Sequence, residues 1–218
     1  MTDQQRLAWM LEALGQALDS NKLAQLIWFR DELLRWNRRV NLTAITDPAE
    51  ALEKHLVDSL TVLPFMEQGK TLLDIGSGGG FPSIPLKIAR PDWVVWSVDS
   101  NTKKIVFQNH VVRSLGLEGF SAIHSRAEKL SEHPSLPVFD LVTSRAFAPL
   151  ASTLELAGPL LDANGMVVVM KGPEGEKELA EFTSEKISRH WACREVRRLQ
   201  LPHSKAERML LIFVRRPS

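Results

Sequence analysis

The sequence predicts an α/β protein with a mostly parallel sheet, an antiparallel pair of strands at the C-terminal end and a helical extension at the N-terminal end. Three observations support this fold class. From residue 70 onward, strand-like runs alternate with helical stretches, which is the order of parallel strands joined by helices. The last two strand-like runs lack a helix between them, so we expect them to pair antiparallel. Before residue 65, apolar residues recur with helical spacing.

The N-terminal part of the chain is predicted to form three helices. Thr2 followed by Gln5 resembles a capping box at the start of the first helix. The second helix is predicted over residues 20–39, where apolar residues share one face. The third begins at Asp47, a capping residue, followed by Pro48 at the first helical position. This part is therefore expected to be a helical extension.

The remainder of the chain divides into alternating strands and helices. Strands are predicted at residues 70–75, 93–98, 119–124, 138–143 and 165–170. Helices are predicted at residues 82–89, 102–115, 148–161 and 174–189. The two strands of the tail are predicted at residues 191–201 and 207–215. We accordingly divide the chain into a helical extension, residues 1–64, and a sheet domain, residues 65–218.

Composition restricts the class of protein only loosely. The 218 residues, 44% of them hydrophobic, allow one α/β domain with a modest extension. The 27 basic and 26 acidic side chains leave a net charge of +1, which neither indicates nor excludes a nucleic-acid partner. Cys193 is the single cysteine, so we expect no disulfide and no metal site built on cysteines. No signal peptide or membrane span is visible, and we expect a cytoplasmic protein.

The most informative segment is the glycine-rich run at residues 72–82, between the first strand and the first helix of the sheet domain. Such a turn brings backbone amides and the positive end of a helix towards one ligand. The pattern Asp-x-Gly-x-Gly-x-Gly is formed by Asp74, Gly76, Gly78 and Gly80. Phe81 stands where a dinucleotide-binding loop has its third glycine. A turn that serves only packing is the alternative interpretation.

The acid before the glycines narrows the choice of ligand. Asp74 would repel a pyrophosphate but attract an ammonium group. The methionine half of S-adenosylmethionine carries an ammonium beside a carboxylate. We therefore expect the loop amides to bind that carboxylate, while Asp74 binds the ammonium directly or through water.

The ends of the next two strands supply candidate contacts for the rest of this cofactor, because ligands of open parallel sheets bind beyond the carboxyl ends of the strands. Asp99 ends the second strand and is the expected partner of ribose hydroxyls. A helix cap is its alternative role, which Ser100 or Asn101 could fill instead. After the third strand, the amides of Ala127 and Glu128 are candidates to read an adenine edge. An exposed surface turn is the alternative there.

Basic residues follow the fourth and fifth strands. Arg145 follows the fourth strand, where it could anchor a ligand carboxylate or orient a phosphate or a base. A surface arginine paired with a neighbouring acid is the alternative. Lys171 follows the fifth strand and places a second cation at the same rim.

Seven short segments, taken in order, carry a resemblance to a known family. They are Asn41-Leu42-Thr43-Ala44-Ile45, His55-Leu56-Val57-Asp58-Ser59-Leu60, the loop from Asp74 to Pro82, Asp99-Ser100-Asn101, Arg126-Ala127-Glu128, Ser144-Arg145-Ala146-Phe147 and Lys171-Gly172. The chain resembles the bacterial 16S ribosomal RNA guanine-N7 methyltransferases, the RsmG type, also called the glucose-inhibited division protein B family. The glycine loop alone would match many methyltransferases, whereas the first, second and sixth segments are more specific.

The resemblance implies a Rossmann-like class I methyltransferase with S-adenosylmethionine as methyl donor. It implies N7 of a guanine in the 530 loop of 16S ribosomal RNA as the methyl acceptor, and the RNA or the small ribosomal subunit as the partner. Carried over by position, the cofactor contacts fall on Gly76, Phe81, Ala127, Glu128 and Arg145. We expect a monomer that acts away from membranes.

Transfer to guanine N7 requires no general base, because N7 of the neutral base already carries a lone pair. No residue is therefore assigned as a catalytic acid or base, and proximity is expected to do the work. Lys103, Arg126, Arg145 and Lys171 are the candidate substrate contacts. Further candidates for RNA are Arg35, Arg38, Arg39, Lys104, Lys205 and Arg208, although single basic residues are usually surface charges. His55 and Asn41 could support the site from the extension.

Three other classes of protein remain open at this point. The chain could methylate a small molecule or a protein, which would need no basic rim. It could be a regulator that binds the cofactor without transferring a methyl group. A nicotinamide-dependent oxidoreductase is the third possibility, and Phe81 together with the absence of tyrosine counts against it.

Overall fold

A computed structural model describes residues 1–67, 69–133, 136–183 and 186–216. Seven strands form one sheet in the order β3-β2-β1-β4-β5-β7-β6. The strands are β1 (Thr71–Ile75), β2 (Val94–Asp99), β3 (Phe120–His124), β4 (Phe139–Arg145), β5 (Leu161–Lys171), β6 (Trp191–Gln200) and β7 (Glu207–Arg215). The first five strands run parallel, and β7 is antiparallel to both of its neighbours. This confirms the predicted fold class.

The helices flank the sheet and fill the N-terminal extension. They are α1 (Asp3–Glu12), α2 (Ser20–Asn37), α3 (Pro48–Ala51), α4 (Asp58–Leu60), α5 (Ser83–Ala89), α6 (Thr102–Leu115), α7 (Leu150–Ala157) and α8 (Gly175–Phe182). A π-helical stretch, Leu52–Val57, joins α3 directly to α4. Within the described ranges, no helix combines the length and the apolar character that crossing a membrane requires.

Helix starts in the extension lie where the capping residues predict them. The Thr2 hydroxyl accepts the amide hydrogen of Gln5, whose side chain accepts from the Thr2 amide. The Asp47 carboxylate accepts from the Glu50 amide, with Pro48 at the first helical position. These starts are predictable because each cap contacts residues only three positions away.

Two predicted helices of the sheet domain are too long. The helix predicted over residues 148–161 is α7, which ends at Ala157, and the chain is already in β5 from Leu161. Pro159 stops this helix, because proline lacks an amide hydrogen and its ring clashes with the preceding turn. The helix predicted over 174–189 is α8, followed by a 3₁₀ turn at Lys186–His190. Residues 184 and 185 of that prediction lie outside the described residues.

Both faces of the sheet are covered by apolar side chains, as is typical of parallel sheets. Leu72 and Leu73 on β1 are fully buried on opposite faces and belong to separate hydrophobic clusters. The extension packs on the Leu72 face, where Phe29 of α2 lies with its ring centroid 5.0 Å from that of Phe81. The extension and the sheet therefore share one continuous core, and their division at residue 64 stays a prediction.

Candidate cofactor and substrate site

Two adjoining cavities lie at the carboxyl ends of the parallel strands, beside the β1–β4 junction where the strand order reverses. The first cavity, of about 430 Å³, is lined partly by the extension and partly by the sheet domain. The second cavity, of about 590 Å³, is lined only by the sheet domain. Gly76, Lys104 and Ala146 line both cavities. Their position is where a parallel sheet of this type binds its ligand.

The glycines of the β1–α5 loop are required by the space around them. Gly76 has a φ of +75°, and a Cβ there would lie 2.2 Å from Cδ2 of Phe147. Gly80 has a φ of +94°, and a Cβ there would lie 2.4 Å from Cδ1 of Ile84. Gly76 borders both cavities and Gly78 borders the first, whereas Gly80 faces α5 and lines neither. The cofactor contact predicted for Gly80 therefore stays a prediction.

The amides of this loop already have acceptors inside the protein. Five of them donate to protein oxygens: Gly76, Ser77, Gly78, Gly80 and Phe81. The amides of Gly76 and Ser77 share the Val98 carbonyl oxygen at 2.9 and 3.0 Å. The expectation that these amides are free to bind a carboxylate is therefore not met in this structure. Three of them fasten the loop to the end of β2, and the amides of Gly80 and Phe81 donate to the Ser77 carbonyl oxygen within the loop.

Asp74 supports the loop from inside the core. Its carboxylate is fully buried, and Oδ2 accepts from the Ser83 amide at 3.1 Å, at the start of α5. Oδ1 has no hydrogen-bond partner within the described part of the chain. Burial raises the pKa of Asp74 to about 7. Asp74 lines neither cavity, and its predicted contact with an ammonium group, direct or through water, stays a prediction.

Gln108 on α6 clamps the glycine loop, a role that the sequence analysis missed. Its Nε2 donates to Ser77 Oγ at 2.9 Å and to the Gly78 carbonyl oxygen at 2.8 Å. Its Oε1 accepts from Ser97 Oγ at 2.6 Å. The side chain is fully buried between α6 and β2. A glutamine on the apolar face of a predicted helix was the available signal.

Asp99 links the glycine loop to the start of α6. Its Oδ2 accepts from the Gly78 amide and its Oδ1 from the Asn101 amide, both at 2.8 Å. Asn101 caps α6, since its side chain accepts from the Lys103 amide. Asp99 borders the second cavity, and each of its oxygens retains a second lone pair for a ligand hydroxyl. The predicted ribose contact is therefore compatible with its position.

The remaining candidates at the second cavity follow β3. Arg126, Ala127 and Glu128 all line it, at the start of the 3₁₀ turn Ala127–Glu132. The structure thus places Asp99, Ala127 and Glu128 around one cavity, as a cofactor-binding role requires. Their contact with the cofactor stays a prediction.

Arg145 is part of a buried ionic network at the first cavity. Its Nη1 donates to the Lys54 carbonyl oxygen at 3.0 Å and lies 3.4 Å from Asp58 Oδ2. Its guanidinium carbon lies 5.1 Å from the centroid of the Phe81 ring. Asp58 Oδ1 accepts from Arg208 Nε at 2.9 Å. Asp58, to which the sequence analysis gave no role, therefore holds arginines from two different strands.

His55 lies between this network and the extension. Its ring stacks on Phe81 at a centroid distance of 4.5 Å. Nδ1 lies 3.4 Å from Arg145 Nη2, and Nε2 lies 2.8 Å from Thr43 Oγ1. Burial and the neighbouring Arg145 charge lower the pKa of His55 to about 3. The imidazole is therefore neutral near pH 7, which makes it a packing and hydrogen-bonding group.

The loop that carries Thr43 is held by Asn37 at the end of α2. Asn37 Oδ1 accepts from the Leu42 and Thr43 amides at 2.8 and 3.0 Å, and its Nδ2 donates to the Thr43 carbonyl oxygen. Asn41, which the sequence analysis proposed as the supporting residue, is exposed. Asn37 performs the support because it ends a rigid helix that faces the loop.

Lys171 is less available than its sequence position suggests. Its Nζ donates to the Ala148 carbonyl oxygen at 2.8 Å and pairs with Glu178 Oε2 at the same distance. Only 9% of its side chain is exposed. Lys171 therefore holds the β4–α7 loop, although it also lines the first cavity. Lys103 and Arg126 are exposed.

The remaining candidate groups are the cysteine and the side chains that could bind a metal. Cys193 is exposed on β6, away from the strand ends that carry the site. Among the residues that the structure describes, no three histidines, cysteines or carboxylates come together as a metal site would require.

The strand order, the glycine turn after β1 and the acid at the end of β2 together define a class I, S-adenosylmethionine-dependent methyltransferase. Solved structures agree on the fold. TrmN from Thermus thermophilus matches 76% of this chain, and 53% of its own, with a TM-score of 0.58 at 14% identity. Precorrin-6y C5,15-methyltransferase from Geobacter metallireducens GS-15 matches 72% of this chain, and 86% of its own, with a TM-score of 0.56 at 14% identity.

Relatives in sequence identify the family more specifically than the solved structures do. Residues 22–211 match the GidB family, described as rRNA small subunit methyltransferase G. A protein named ribosomal RNA small subunit methyltransferase G from Syntrophotalea carbinolica is 49% identical, covering 98% of this chain and 99% of its own. One of the same name from Myxococcus xanthus is 42% identical, covering 96% of each chain. The chain belongs to the rRNA small subunit methyltransferase G family, which confirms the resemblance, the methyltransferase activity and the cofactor class.

Proposed function

We propose that this protein methylates N7 of a guanine in the 530 loop of 16S ribosomal RNA. Membership of the family and the charge of the first cavity support the proposal. Among the described residues that line it, five are basic and one is a carboxylate, Asp58. The basic residues are Lys54, Lys104, Arg145, Lys171 and Arg208. Carboxylates pair with all of them, namely Asp58, Glu50, Glu178 and Asp99, so the cavity keeps a small positive excess, which suits a phosphate backbone.

The residues at the second cavity suit the adenosine part of the donor. Asp99 offers acceptors for ribose hydroxyls, and Ala127 and Glu128 stand where an adenine edge would be read. Gly76 lies at the junction of the cavities, and the Phe147 side chain packs where its Cβ would be. When bound, the donor supplies an electrophilic methyl group on a sulfonium. The junction allows that group to face the first cavity.

The side chains at the first cavity position the base, and none of them acts as a general acid or a general base. His55 is neutral, and its Nδ1 faces a donor of Arg145. Both oxygens of Asp58 are occupied by arginines. Guanine N7 has a lone pair without deprotonation, so the residues need only bring the two reactants together. Proximity and orientation can supply about 7–11 kcal/mol of the barrier.

The proposal is tested by transfer of a radiolabelled methyl group to small ribosomal subunits, or to their deproteinised 16S RNA, from a strain that lacks the gene for this protein. We expect N7-methylguanosine in the 530 loop, and a single-turnover rate that does not change with pH near neutrality. Label elsewhere in the RNA, or in protein, would replace the proposed substrate. Binding of the donor with no transfer at all would favour a regulator.

The acceptor is the 16S RNA or the small subunit, and comparison of the two as substrates decides between them. We infer a monomer in the cytoplasm. Light scattering of the purified protein, with and without RNA, measures the oligomeric state.

A further inference from the structure

The Thr43 hydroxyl borders the first cavity, and the hydrogen bonds around it determine which way its hydrogen can point. Arg145 has donors only, so the N–H of Nη2 that faces His55 Nδ1 makes Nδ1 an acceptor. Since the imidazole is neutral, its one hydrogen is on Nε2. That hydrogen faces Thr43 Oγ1 at 2.8 Å, and Thr43 accepts it.

A second donor occupies the other lone pair of the same oxygen. The Ile45 amide donates to Thr43 Oγ1 at 3.1 Å. Both acceptor positions of the hydroxyl are then filled, and its own hydrogen is left. None of the residues that the structure describes accepts a hydrogen bond from it. Thr43 is only partly buried and lines the first cavity, so this hydrogen is available to a ligand there.

The charged side chains of the cavity, unlike the Thr43 hydroxyl, are paired with carboxylates. Arg145 and Arg208 pair with Asp58, and Lys171 pairs with Glu178. Lys54 pairs with Glu50. The Thr43 hydroxyl is a neutral donor whose acceptor positions are filled, so it can only donate to a ligand, and the carbonyl oxygen of a base edge is a suitable acceptor.

We propose that the Thr43 hydroxyl donates a hydrogen bond to O6 of the target guanine and so selects guanine at this site. The inference rests on the proposed function. Guanine presents N7 and O6 on the same edge, and N7 must keep its lone pair for the methyl group, so O6 is the acceptor left beside it. Adenine carries an amino group at that position and would face the Thr43 hydroxyl with hydrogens.

The test compares two substrates with two proteins. The RNA carries guanine or 2-aminopurine at the target position, and 2-aminopurine keeps N7 but has hydrogen in place of O6. The proteins are the wild type and Thr43→Val, which has a similar shape without the hydroxyl. Losing one neutral hydrogen bond is expected to lower kcat/KM for guanine roughly five- to tenfold, and to change kcat/KM for 2-aminopurine little beyond any general loss. The same comparison is made on Kd in the presence of S-adenosylhomocysteine, which needs no transfer.

Two further variants separate the hydrogen bond from the shape of the loop. Thr43→Ser restores the hydroxyl and is expected to restore the preference for guanine over 2-aminopurine. Thr46→Val, at an exposed position of the same loop, is the matched control and should leave that preference as in the wild type. An equal loss on both RNAs in Thr43→Val, or no loss on guanine, overturns the inference. Failure of the wild type to methylate guanine would instead overturn the proposed function.

Discussion

The two cavities are built in different ways, although they meet at Gly76. At the second cavity, Asp99 binds amides that lie 2 and 21 residues away in the chain. At the first cavity, Asp58 binds arginines that lie 87 and 150 residues away. The cofactor side therefore comes from neighbouring strand–helix units, whereas the substrate side forms only when the extension packs on the sheet. Substitutions should therefore affect the two cavities separately.

The largest expected effect is on the long-range network. Asp58→Ala would leave the partly buried Arg145 and Arg208 without their shared carboxylate. Because this removes two hydrogen bonds to charged groups, we expect the free energy of unfolding to fall by about 2–3 kcal/mol in urea titrations. Glu176→Ala is the control, since it breaks an exposed pair with Arg198 and should leave stability nearly unchanged. Equal losses in the two variants would contradict the role given to Asp58.

The second effect concerns the junction of the cavities. Gly76→Ala places a Cβ 2.2 Å from Phe147, at a φ of +75°. We expect the affinity for S-adenosylmethionine, measured by calorimetry, to fall at least about tenfold as Phe147 is displaced into the site.

Gly116→Ala is the matched control for backbone strain. Gly116 has a φ of +61° with nothing within 4 Å of its Cβ position, at the end of α6. Both alanines should cost stability through the left-handed backbone, by about 1–2 kcal/mol. Only Gly76→Ala should weaken cofactor binding, and a similar loss of affinity in both would show that strain alone is responsible.

The same contrast explains how much of the site is predictable from the sequence. The cavity position of Asp99, Ala127 and Glu128 could be predicted because each lies at or after the end of a strand, and the edge where parallel strands end is fixed by topology. Asp58 lies in a segment that carries the family resemblance, yet its role depends on Arg145, which lies 87 residues further on. Thr43 lies in another such segment, and its hydrogen bond with His55 depends on the same arginine. A sequence motif around Asp58 or Thr43 does not include Arg145, so it could not predict these contacts.

The direction in which a side chain points was the second feature that the sequence did not predict. Lys171 was placed correctly at the rim, but its pairing with Glu178 on α8 turns its ammonium group towards the β4–α7 loop. Asp74 was placed correctly at the end of β1, where its side chain points into the core and holds the start of α5. Strand position predicts which end of the sheet a residue occupies, and packing decides where its charge goes.

The third prediction uses pH to follow His55. Its pKa is about 3 in the folded protein and 6.5 when unperturbed, so the unfolded chain binds the extra proton between these values. The contribution of His55 to stability is therefore full above pH 6.5 and is lost as the pH falls towards 3. From about pH 6 to about pH 5, we expect the wild type to lose about 1 kcal/mol more than His55→Gln in urea titrations. Parallel curves would mean that His55 is not held neutral.

The smallest effect is expected at the rim. Lys103 is exposed beside the second cavity, and as a phosphate contact it would act independently of the network around Asp58. Lys103→Ala should weaken RNA binding equally for all sequences and reduce the slope of log affinity against log salt by about 1. Lys177→Ala removes an exposed lysine on α8 and is the matched control. An unchanged slope in Lys103→Ala would place that residue outside the RNA contact and leave recognition to the first cavity, where the extension and the sheet meet.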